Sequence, residues 1–137
     1  MTSLITQIVL YEKMTGDSQY HGFMINQRDW LLGRNPWGTS MFTGIPTEGE
    51  YPEDVHTSVW ALTKRMVPGG LVDGPIYSSI FNLLRGLTLY NIDEFSHLQN
   101  DFVVYHDDIG DYSSNEPTMD GTAGSIIMMA HWASDLH

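Results

Sequence analysis

The chain has 137 residues, no cysteine, and 17 acidic against 6 basic side chains, for a formal charge of -11. One domain is expected; thiolate chemistry, disulfides and every cysteine-containing metal site are excluded. Four arginines and two lysines scattered over the chain cannot build a basic patch, so nucleic acid and anionic membrane are not expected partners. Aromatic residues make up 12% of the chain, a load that suits a core or a cleft stacking on a neutral ring.

The opening "MTSLITQIVLYEKMTGD" has no basic leader and no small-residue cleavage site, so no signal peptide is expected in it. Leu4, Ile5, Ile8, Val9 and Met14 recur at helical spacing. Gly16 breaks the pattern, with Asp17 or Ser18 as the expected cap of a second helix near 18 to 32. That helix aligns Tyr20, Phe23, Met24, Gln27, Trp30 and Leu31, and Gly33 closes it. A helical hairpin is predicted.

From Gly33 to Gly74 the chain is rich in glycine and proline, interrupted by the short "SVWALTKRM". Connections this long without periodicity are usually functional, and Trp37, Phe42, Tyr51 and Trp60 give this one something to pack. Pro75 suits the first turn of a third helix, "PIYSSIFNLLRGLTLY", with Ile76, Ile80, Leu83, Leu84 and Leu87 on one stripe and Gly86 tolerated within it. "FVVY" is the one strand-like stretch. A last helix is expected from about Thr122, turning Ala123, Ile126, Ile127 and Ala130 inward. The longest apolar run, "IIMMA", is too short to span a bilayer. Apolar stripes joined by long aromatic loops, where a self-contained bundle would use short turns, suggest part of something larger.

The segment "YHDDIGDYSSNEPTMDGTAG" places Asp107, Asp108, Asp111, Glu116, Asp120 and His106 within twenty residues. Glycoside hydrolysis needs a protonated carboxyl at the leaving oxygen and, in inverting enzymes, a second carboxylate about 6.5–9.5 Å away to activate water. Glu116 is the candidate acid; a solvated acidic turn ahead of a helix is the plainer reading of the same residues. Asp107, Asp108 and Asp111 are candidates for calcium, although they lack the alternation of a hand-type loop. His56 and His106 are candidates for a sugar hydroxyl or a metal, while His21, His97, His131 and His137 show no ligand spacing. "LLGRNPWGTS" lacks the lysine and the preceding strand of a phosphate loop, and no serine stands in a nucleophile elbow.

Four motifs in order, "LLGRNPWGTSMFTG", "VPGGLVDGP", "YHDDIGDYSSNE" and "MDGTAG", resemble the C-terminal part of the catalytic domain of glycoside hydrolase family 9, inverting endoglucanases. The resemblance extends over residues 1–137 as a partial catalytic domain. It implies an all-α fold, several consecutive helices of an (α/α)6 barrel with long glycine-rich loops. It implies hydrolysis of β-1,4-glucosidic bonds in cellulose or a related β-glucan, with no cofactor required. Glu116 matches the general acid and Asn115 precedes it as expected; His56 matches a substrate-binding histidine, without the arginine that usually follows. Trp37 would stack on a pyranose ring, and Tyr112 belongs to the substrate-binding set. Thr122 stands where the family usually has asparagine. The aspartate pair that activates water lies, in the family, in a region with no counterpart here. The implied partners are therefore a β-glucan and either the N-terminal remainder of the barrel or a second copy. The parent enzymes are usually exported. A non-catalytic carbohydrate-binding or oligomerising module derived from such an enzyme is the alternative.

Overall fold

The computed structural model describes residues 1–134, so His137 lies outside the described residues. The elements in chain order are helix α1 (Thr2–Thr15), helix α2 (His21–Leu31), helix α3 (Ser58–Thr63), strand β1 (Ile76–Tyr77), helix α4 (Ser78–Phe81), strand β2 (Val103–Val104) and helix α5 (Met119–Ser134). The expected helical hairpin is present: α1 closes at Gly16, whose φ of 73° lets its N–H turn back to the Glu12 carbonyl. Neither Asp17 nor Ser18 caps α2, which starts after Tyr20 without a side-chain cap. Asp17 instead accepts the Gln19 N–H and the Tyr11 hydroxyl, spending its carboxylate on the turn itself.

α1 is the central packing element, lying against both α2 and α5. Ile5, Ile8 and Val9 are buried, with Met24 and Leu31 from α2 and Met128 from α5. The expected inward face of α5 is wrong. Ile126 is 67% and Ile127 46% exposed, and Ala123 and Ala130 are exposed too. The inward stripe is Ser125 and Met128, one turn apart, with Gly124 beside them. A Cβ on Gly124 would come within 2.9 Å of Thr2 Oγ1, so close approach to α1, rather than hydrophobicity, selects this face.

The third predicted helix is also corrected. Its first residues form β1, paired antiparallel with β2 in the register Ile76↔Val104 and Tyr77↔Val103. Only four residues of helix follow, and Gly86 sits at φ 77°, outside helical geometry. Leu83 is 81% exposed, so the apolar stripe found no surface to cover and helical propensity alone did not hold it. Five helices are therefore joined by long irregular loops and a small antiparallel ribbon, so the fold is not purely all-α as expected. "FVVY" does supply that ribbon's second strand.

The glycine-rich loops are ordered by packing. Trp37, Met41, Phe42 and Val55 are buried, and Phe42 bridges to Leu71. Thr43 joins the two loops: its hydroxyl donates to the Val67 carbonyl at 2.7 Å and accepts the Gly70 N–H at 2.8 Å. Among the described residues no helix is long and apolar enough to cross a membrane.

Met128→Ala is expected to lower unfolding free energy by about 2–4 kcal/mol, while Ile126→Ala stays within about 0.5 kcal/mol. Urea denaturation of the two variants decides which face of α5 is inward.

Candidate active site

Three segments converge on Glu116. On one side, residues 71–74 run antiparallel to 114–118: Thr118 N–H donates to the Leu71 carbonyl at 3.0 Å, Asp73 N–H to the Glu116 carbonyl at 3.1 Å, and Gly74 N–H to the Ser114 carbonyl at 2.9 Å. The Leu71 N–H is taken by the Thr122 hydroxyl at 3.0 Å, so the threonine that replaces the expected asparagine still supplies an acceptor. On the other side, His56 N–H donates to the Asn115 carbonyl at 2.9 Å. The Glu116 backbone is thus held from both flanks while the residue itself stays exposed.

Three aspartates of the same segment have separate tasks. Asp107 accepts the N–H groups of Glu53 (2.7 Å) and Asp54 (3.0 Å) and the Asn115 amide (2.8 Å). It therefore ties the histidine loop to the acid loop. Burial pushes its carboxyl up, and these three donors pull against that. Asp111 is fully buried and accepts from the backbone and hydroxyl groups of Ser113 and Ser114 and from His106 Nδ1, the last at 2.8 Å. Burial alone would raise its carboxyl, but His106 and the serines hold it below the usual carboxylate range. Asp108 accepts the N–H groups of Tyr90, Asn91 and Gly110, fixing the loop that the third helix was expected to occupy. The three aspartates grouped as calcium candidates thus serve three different sets of donors. No group of three metal-capable side chains gathers among the described residues.

The predicted substrate-binding residues separate. His56 and Tyr112 come together, edge to face with ring centroids 6.0 Å apart, on the wall of a cavity of about 540 Å³. His56 Nδ1 lies 2.5 Å from the Ile109 carbonyl, which can only accept, so Nδ1 carries the proton and Nε2 is left for a ligand. Trp37 is 8% exposed and edge-on to Tyr105, and it lines a different cavity, of about 530 Å³, from that of His56 and Tyr112. Asn115 is fully buried and spends its amide on Asp107 and the Asp54 carbonyl, so it positions its neighbour instead of touching a ligand. His106, the other histidine considered for a ligand, is buried between Asp111 and the ring of Phe81.

Sequence reasoning missed Asp73. Its carboxyl is pushed up by partial loss of water and by the charges of Glu116 and Asp120. It stands in the quoted "VPGGLVDGP", but only the pairing of 71–74 with 114–118 brings it beside Glu116.

The sequence pattern of glycosyl hydrolase family 9 matches residues 1–129. The chain belongs to glycosyl hydrolase family 9. Two solved structures, the family 9 endoglucanase J30 and a zinc-binding triple mutant of that endoglucanase, each share 28% identity and superpose with a TM-score of 0.73. Each alignment covers 96% of this chain and 23% of the solved one, so the chain spans about a quarter of the length of these family 9 enzymes. No curated protein matches it.

Because the Asp111 carboxyl is depressed in the fold, its stabilisation is present above the carboxyl's unfolded value, about 3.9, and is lost as pH falls through the lower folded value. Asp111→Asn should therefore cost about 1–3 kcal/mol near neutral pH, with the gap to the parent narrowing below about pH 4. Denaturation midpoints measured from pH 3 to 7 check the sign.

Proposed function

We propose that this chain is the acid-bearing portion of an inverting family 9 glycoside hydrolase acting on β-1,4-glucosidic bonds of cellulose or a related β-glucan. The observation that carries the reading is an exposed Glu116 on a backbone fixed from both flanks, in a loop whose Ile109, Gly110 and Tyr112 line a cavity together with His56. A general acid works only if its proton is held at the leaving oxygen as the bond breaks, so a rigid backbone beneath an accessible carboxyl is the arrangement the chemistry needs. Glu116 would deliver its proton to the glycosidic oxygen while water attacks the anomeric carbon from the opposite face. His56 Nε2 would accept a sugar hydroxyl, and Tyr112 would pack on the ring next to it.

No carboxylate of this chain is proposed as the base. Asp107, Asp108 and Asp111 are committed to loop donors. The base would come from the remainder of an (α/α)6 barrel, whose other helices would cover the outward apolar residues of α5, among them Met119, Ile126 and Ile127. That same exposed face favours the second reading, an oligomerising module in which another copy covers it.

Hydrolysis of carboxymethyl cellulose and mixed-linkage β-glucan is measured for this chain, for a version extended N-terminally through the rest of the native gene, and for Glu116→Gln in both. Activity is expected in the extended protein alone and falls by about 10²-fold or more with Glu116→Gln. Activity in the short chain, or an extended protein indifferent to the substitution, contradicts the assignment.

A further inference from the structure

The cavity beside His56 and Tyr112 has a feature that a neutral glucan does not require. Lys64 lines it, in a chain whose formal charge is -11. Among the described residues Lys64 is the one non-glycine residue with a left-handed backbone, at φ 55°, a conformation that side chains other than asparagine and aspartate seldom adopt. It ends α3 there, its N–H returning to the Trp60 carbonyl at 2.9 Å. Its ammonium lies 5.6 Å from the centre of the Trp60 ring, within cation–π range. Lys64 is otherwise exposed, so the Trp60 ring is the contact on which this charge rests.

No carboxylate of the described residues forms an ion pair with it. Ion pairs among the described residues are made by Arg28 and Arg34 with Asp29 and by two histidines, and none involves Lys64. Asp54, the one carboxylate on the same wall, is engaged by the Asn91 amide at 2.5 Å. Two further cations flank the lining: Arg65 follows Lys64, and Arg85 precedes the lining Gly86 and offers its carbonyl to the Tyr112 hydroxyl at 3.0 Å. Neither has an ion-pair partner among the described residues. An aromatic-walled cavity with an ammonium set against a ring and without an ion pair among the described residues fits a pyranose that carries a carboxylate.

We propose that this cavity receives a uronosyl unit, in or on the glucan chain, and that Lys64 is the residue that selects its carboxylate. The inference rests on the hydrolase reading, since it names which sugar the cavity lined by the acid-bearing loop prefers. Tyr112 supplies the ring contact, His56 a hydroxyl contact and Lys64 the charge contact.

The test is calorimetric binding to the N-terminally extended protein carrying Glu116→Gln, so that ligands survive. The probes are cellotetraose and the same tetrasaccharide with one unit oxidised to glucuronate. The oxidised ligand should bind about threefold tighter at low salt, the size expected of one partly solvated ion pair. That preference should vanish near 1 M salt, where screening lengths fall to about 3 Å. Lys64→Met keeps the stem over Trp60 and should abolish the preference, and Lys64→Arg should retain it. Equal or weaker binding of the oxidised ligand, or a preference untouched by Lys64→Met, overturns the proposal while the hydrolase reading stands. Failure of both saccharides to bind brings down the hydrolase reading and this inference with it.

Discussion

The site is organised around one half-buried carboxylate. Asp107 accepts two backbone N–H groups from the loop that leads to His56 and the side-chain amide of Asn115, the residue before Glu116. Two loops more than fifty residues apart in sequence become one body through those three bonds. Each bond made by an ionised acceptor is worth about twice a neutral one, and each donor left unpaired in that interior would cost about 1–3 kcal/mol. The partial burial of Asp107 is tolerable because the donors are present, and the donors are fixed because Asp107 accepts them. Asp111 does the same locally, gathering Ser113, Ser114 and His106 so that the turn before Glu116 has one shape.

This explains how a small, loop-rich chain can present an accessible carboxyl on a rigid base. The helices α1, α2 and α5 form the packed part, and the loops carrying function lie on it through Trp37, Met41, Phe42, Val55 and Tyr105, all buried. Acidic residues that look like surface decoration in the sequence are structural anions, each with its own donors. Glu116, Asp73 and Asp120, by contrast, are exposed.

The elements legible in the sequence were those decided by local physics. The α1–α2 hairpin followed from apolar spacing and from Gly16 and Gly33, and "FVVY" was the one strand-like stretch, whereas the short helix capped by Thr57 was read only as a segment between loops. Elements decided by long-range partners were misread. The stripe from Ile76 to Leu87 has helical spacing, but β2 claims its first residues and Asp108 binds the backbone of Tyr90 and Asn91 beyond its end. On α5, hydrophobicity pointed to Ile126 and Ile127, whereas the close fit of Gly124 on Thr2 set the buried face. In the site, Glu116, His56 and Tyr112 were named as candidates through the family's motifs. The burial of Trp37 and Asn115, and the approach of Asp73 to Glu116, depend on loop pairing that no local pattern encodes.

The central claim is that Glu116 is a proton donor to a leaving group, which is separable from any structural duty it has. The decisive measurement compares the N-terminally extended enzyme with its Glu116→Gln variant on two aryl cellobiosides, one with a poor phenol leaving group and one with dinitrophenolate, which departs without protonation. The account predicts a loss of about 10²-fold or more on the poor leaving group and little loss on dinitrophenolate. Equal losses on both substrates would contradict it, because a residue that only shapes the cleft cannot tell one leaving group from the other.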